Sequence, residues 1–114
     1  MNRVAVAQEL VKLAKDLTAV HPTPERIVER RKELATDLAH ALAVGYRDAK
    51  VHINQIAYEL KENVRPIAEG RSIEKPTPEE VESATKELEL WEELLRESRI
   101  AEDALFKAMK AVKR

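Results

Sequence analysis

The feature that most constrains this chain is a stripe of mainly apolar positions that keeps one helical phase from Ile27 to Ile67. Its members are Ile27, Arg31, Leu34, Leu38, Leu42, Gly45, Ala49, Ile53, Ile56, Leu60, Val64 and Ile67, eleven steps over 40 residues. A step of about 3.6 residues is that of a straight α-helix, so the stripe holds to one face. Thr23 reads as an N-cap and Pro24 as the first helical residue, where its missing N–H costs nothing. The pattern predicts one long helix over about residues 24–65. Gly45 is the only breaker inside it, at about 1 kcal/mol relative to alanine. The alternative is a break at Gly45–Tyr46, which would make two helices of a compact four-helix bundle.

Two further helices flank this one. Val4, Ala7, Val11, Ala14 and Leu17 recur at helical spacing, predicting a helix over about residues 3–19 that His21–Pro22 stops. Pro66 and Gly70 close the long helix, and Thr77, Pro78 and Glu80 have the layout of a capping box. The helix that follows, about residues 78–113, carries a heptad seam of Val81, Ala84, Leu88, Trp91, Leu95, Ser98, Glu102, Leu105, Met109 and Val112. Its glutamates lead and its lysines close, the order a helix dipole favours. Trp91, the only tryptophan, sits on that seam and reads as core. Pro22-Thr-Pro-Glu25 recurs as Pro76-Thr-Pro-Glu79, either a duplication or the same capping chemistry used twice. The expected fold is all-α, one domain over residues 1–114: a long antiparallel hairpin of the second and third helices with the short first helix laid on it, three-helix-bundle-like. With the loop centred near Arg71–Ser72, Gly45 falls opposite Ser98 and Ile53 near Trp91.

Composition narrows the function. Lys and Arg number 20 against 21 Asp and Glu, so no bulk field draws the chain to nucleic acid or a membrane. Cysteine is absent, which excludes disulfides, thiolate zinc sites and a cysteine nucleophile. No apolar run nears the ~20 residues of a membrane span, and the first residues lack a signal-peptide layout, so the expected compartment is cytoplasmic. Asp37 and His40 have the spacing of a metal-binding pair in a bundle, but no second such pair exists to complete a site. No metal, cofactor or catalytic residue is therefore assigned, and the chain does not read as an enzyme.

Surfaces remain as the means of action. In a hairpin, Val44, Val51, Leu90, Leu94, Ile100 and Phe106 lie off the seams with Val28, too many for one short helix to cover. They form a candidate interface with copies of the chain or a larger assembly, which predicts a homo-oligomer. The same hairpin would bring Arg30 and Arg31 beside Lys107, Lys110, Lys113 and Arg114, a candidate anionic docking point. That basic tip supports the alternative, a helical module binding nucleic acid.

The opening VAVAQELVKLAKDLTA of residues 4–19 resembles the first helix of many small helical proteins of tailed bacteriophages. It covers about a seventh of the chain. The resemblance implies a virion-associated or assembly role, in the host cytoplasm or the particle, and assigns no functional residue. The expectation is a structural, assembly or adaptor protein working through helix–helix interfaces.

Overall fold

The computed structural model describes residues 2–18, 23–45 and 49–112. They form five helices: α1 (Arg3–Asp16), α2 (Glu25–Val44), α3 (Ala49–Asn63), the single turn α4 (Arg65–Ala68) and α5 (Pro78–Val112). The all-α expectation holds. The unbroken second helix does not.

Gly45 ends α2 in a left-handed conformation, φ 77° and ψ 34°, with its N–H donated to the Ala41 carbonyl. A continuing α-helix cannot contain that residue, and glycine reaches it without the clash of a β-carbon. The chain turns back, and α3 begins at Ala49. The stripe keeps its phase across the turn because both arms face the same core. The arrangement is the four-helix alternative, not the hairpin.

The other ends are set by ordinary chemistry. The Asn2 side chain caps α1 by accepting from the Ala5 N–H at 2.8 Å. At the far end Leu17 turns extended and buries its side chain, so α1 stops at Asp16; Ala19 and the expected His21–Pro22 stop lie outside the described residues. Pro24 is extended at ψ 145° and is itself the cap of α2, one residue from the position expected, and Thr23 makes no side-chain cap. The Pro24 carbonyl accepts from the Ile27 and Val28 N–H groups and closes the first turn. The capping box of α5 is formed as read: the Thr77 N–H donates to Glu80 Oε1 at 3.0 Å, and the Glu80 N–H to Thr77 Oγ1 at 3.2 Å.

Contacts between helices fix their directions. Arg3, at the start of α1, donates to the Leu42 and Ala43 carbonyls at the end of α2, so these two run antiparallel. Arg31 near the start of α2 pairs with Glu87 near the start of α5, while Gly45 at the end of α2 lies beside Leu105. α2 and α5 are therefore parallel, and α3 returns between them. α1 and α3 each pack on both α2 and α5 but not on one another. The result is an up-down-up-down bundle with α4 against α5 at one end. The molecule measures 56 × 22 × 21 Å, and α5 alone, at 1.5 Å per residue, accounts for about 52 Å of the long axis.

In such a bundle each helix buries a stripe wide enough for two neighbours. On α5, Ala84, Leu88, Trp91, Leu95 and Ser98 are buried as the seam predicts, and Leu94 joins them because the helix also faces α1. Val28 is buried on α2 for the same reason. Ser98 satisfies its hydroxyl on the Leu94 carbonyl at 2.6 Å.

Candidate functional site

One polar cluster lies inside the bundle. Arg31, a member of the apolar stripe of α2, is only 2 % exposed. It meets Glu87 of α5 with two bonds, Nε to Oε1 at 2.6 Å and Nη2 to Oε2 at 3.2 Å. The Trp91 indole N–H, one turn further along, donates to the same Oε1 at 3.3 Å. Beside the pair is a cavity of about 20 Å³ lined by Thr18, Thr23, Asn63, Glu80 and Ser83 among others. Two polar atoms of its lining residues, Arg31 Nη1 and Glu80 Oε2, are buried without a protein partner. That is room for about one water molecule. An organic substrate needs roughly 300 Å³ or more.

Chemically the cluster is a lock. Glu87 holds three donors, and Arg31 is neutralised by Glu87. Among the described residues no histidine or tyrosine lines the cavity, and its hydroxyls belong to Thr18, Thr23 and Ser83. Asp37 and His40 are exposed on α2, away from the cavity lining. Among the described residues no group of three or more His, Asp or Glu gathers to hold a metal ion. No helix among them is long and apolar enough to cross a membrane.

The expected basic tip is not assembled. Arg31 is buried against Glu87, and Arg30 lies beside Glu33 at 3.5 Å on the same exposed helix. Lys107 is twenty residues along α5 from Glu87, about 30 Å at the helical rise, so the arginines and lysines occupy opposite ends. The break at Gly45 is the cause, since it makes α2 and α5 parallel. What remains is the last turns of α5, where Lys107 pairs with Asp103 at 3.0 Å and Lys110 sits over the Phe106 ring at 5.8 Å. Lys113 and Arg114 lie outside the described residues.

Of the candidate interface residues, Val44, Val51, Leu90, Ile100 and Phe106 are each about half exposed. Leu94 is not: at 7 % exposure it belongs to the core between α5 and α1. The exposed ones do not make one patch. Val51 lines an open groove between α2 and α3 with Arg30, Leu34, Asn54, Gln55, Tyr58 and Glu59. Tyr58, 63 % exposed, was not among the expected residues, although it stands one heptad from Val51 and that spacing marks a shared face. Leu90 lines a second groove, about 280 Å³, between α1 and α5. Its floor is Leu13, Leu90 and Leu94, and its rim is Glu9, Asp16 and Glu93 with Lys12 as the single positive charge. Phe106 stands apart, on the turns of α5 beyond Leu105.

No family model, curated protein or solved structure matches this chain.

Proposed function

We propose that the protein is a structural or adaptor component that works by helix-on-helix contact and associates with itself. One observation carries this reading: large apolar side chains on regular helices, Val51 and Tyr58 on α3 and Leu90, Ile100 and Phe106 on α5, stay half exposed or more after the bundle has closed. Rigid helical faces of this kind suit a partner helix, which lays its own apolar stripe along them. The net charge of −1 sets up no long-range repulsion between copies. The likeness of residues 4–19 to the first helix of small tailed-phage proteins supports a place in virion assembly, in the host cytoplasm or the particle. No residue is given a catalytic role.

Light scattering of the purified chain tests the central claim. The mass should rise above the 13.0 kDa of one chain as concentration increases through roughly the micromolar to millimolar range of weak complexes. A mass that stays at one chain throughout refutes self-association. The phage setting has its own check: mass spectrometry of purified particles from the source should detect the chain.

A further inference from the structure

We infer that the last turns of α5 of one copy dock into the α1/α5 groove of the next, joining copies head to tail. This rests on the reading that the protein self-associates, and adds where and in what geometry. Leu105 lies beside Gly45, the end of α2, and Gly45 lies beside Arg3, the first residue of α1. Among the described residues α1 and α2 therefore end at this level, and the seven residues of α5 from 106 to 112 run about 10 Å beyond it. They carry Phe106, half exposed, with Lys107, which pairs with Asp103 on the exposed helix at 3.0 Å, and Lys110, which sits over the ring.

The α1/α5 groove is the complement of that tip. Its floor of Leu13, Leu90 and Leu94 would take an aromatic ring, and its rim carries Glu9, Asp16 and Glu93 against Lys12, with Glu93 also pairing with Arg96 at 2.9 Å, which leaves Glu9 and Asp16 for two ammonium groups. The α2/α3 groove is the poorer match, because its lining carries one carboxylate, Glu59, and one cation, Arg30. A tip cannot fill its own groove. Leu90 and Phe106 are sixteen residues apart on one helix, about 24 Å, so the occupant is a second copy. The same sixteen residues turn through about 160° beyond whole turns, so groove and tip face different sides of α5. Two copies cannot then satisfy both contacts by a two-fold pairing of their α5 helices, and the contact propagates. A half-exposed aromatic and about two turns of helix bury less than the ~1,200 Å² of a stable complex. The association is accordingly weak, concentration-dependent and salt-sensitive.

Sedimentation velocity of the full chain at low salt tests this. The wild type should show an average mass that grows past two copies without a plateau, and high salt should reduce it. Reversing the rim (Glu9→Lys with Glu93→Lys) or the tip (Lys107→Glu with Lys110→Glu) should each raise the concentration needed at least about tenfold. Mixing the two reversed proteins should restore association, since each then offers the other a complementary groove and tip. Phe106→Ser, at an exposed position, should weaken association similarly with circular dichroism unchanged, and decides the matter if a charge-reversed protein fails to fold. Association that survives all these changes places the interface elsewhere and overturns the inference while leaving the proposed function standing. A mixture of folded variants that stays dissociated, or wild-type growth that stops at two copies, also overturns it. A wild type that is monomeric throughout removes both.

Discussion

Removing the Glu87 carboxylate should be among the most damaging single changes to this fold. Arg31 is 2 % exposed, and in Glu87→Leu its guanidinium would lose both of its bonds while Nη1 already lacks a protein partner. The adjoining 20 Å³ admits a water but not a hydrated counter-ion. Leaving one member of a buried pair unpaired costs about 3–5 kcal/mol. A domain of this length has roughly 6–17 kcal/mol of stability in all, so between about a fifth and four-fifths of it would go. Trp91 also loses the acceptor for its indole N–H, about 1 kcal/mol more. Arg31→Met should cost less, because Glu87 is 17 % exposed and can turn its charge to solvent. The double variant Arg31→Met/Glu87→Leu should fall within about 2 kcal/mol of wild type, since apolar groups of similar volume replace a buried pair at little net cost. Urea unfolding followed by circular dichroism and by the fluorescence of the only tryptophan, which is buried beside Glu87, gives all four corners of the cycle. Glu87→Leu within about 1 kcal/mol of wild type, or a double variant as unstable as the two singles added, would refute the assignment of the pair as a buried lock.

Other expectations follow from single contacts. Gly45→Ala should destabilise by about 1–2 kcal/mol through its positive φ alone, because an added β-carbon meets Leu105 and Arg3 only at ordinary contact distances of 3.5 Å or more. Gly70→Ala, also at positive φ but in open space, should cost the same in thermal melts, and a stabilised Gly45→Ala would instead mean a continuous helix. Leu94→Lys should lose several kcal/mol and broaden the proton spectrum, whereas Phe106→Lys leaves the melting temperature nearly unchanged. Ser98→Ala should be close to neutral and Ser98→Leu about 1–3 kcal/mol worse in urea unfolding, because the site is fully buried and has no room for an isobutyl group. Thr77→Ala should cost about 1 kcal/mol in the same assay by opening one half of the capping box.

Where the chain states a structure locally, it is legible. Thr77 to Glu80 announces the start of α5 and the seam from Ala84 to Ser98 announces its buried face, since both depend on residues a few positions apart. Arg31 in an apolar stripe signals a buried charge, but only the fold reveals that Glu87 is the partner, 56 residues away. Leu94 reads as exposed on a two-helix seam and is buried once α5 has two neighbours. The turn at Gly45 escapes periodicity for a physical reason. A stripe records which side of each helix faces the core, and both arms of a turn face the same one. Leu42 and Ala49 are seven residues apart, so the short turn between them passes for two helical turns. The local signs were a glycine where a C-terminal cap belongs and Asp48, a good capping type, just before Ala49.

Charge discriminates between the two folds more sharply than the stripe does. A hairpin would gather Arg26, Arg30, Arg31, Lys32, Lys107, Lys110, Lys113 and Arg114 at one end, and leave the glutamates of early α5 without those cations. One added reversal of the chain changes the parity. α2 then runs parallel to α5, its arginine-rich start comes level with the acidic first half of α5, and Lys107 and Lys110 lie toward the far end. Like charges brought together repel, whereas the pairing at Arg31 and Glu87 attracts at low dielectric, so the same residues oppose one topology and support the other. The separation also leaves the two ends of α5 opposite in sign. That polarity is written in the sequence of α5 itself, and the turn at Gly45 decides only which of its ends the arginines of α2 meet.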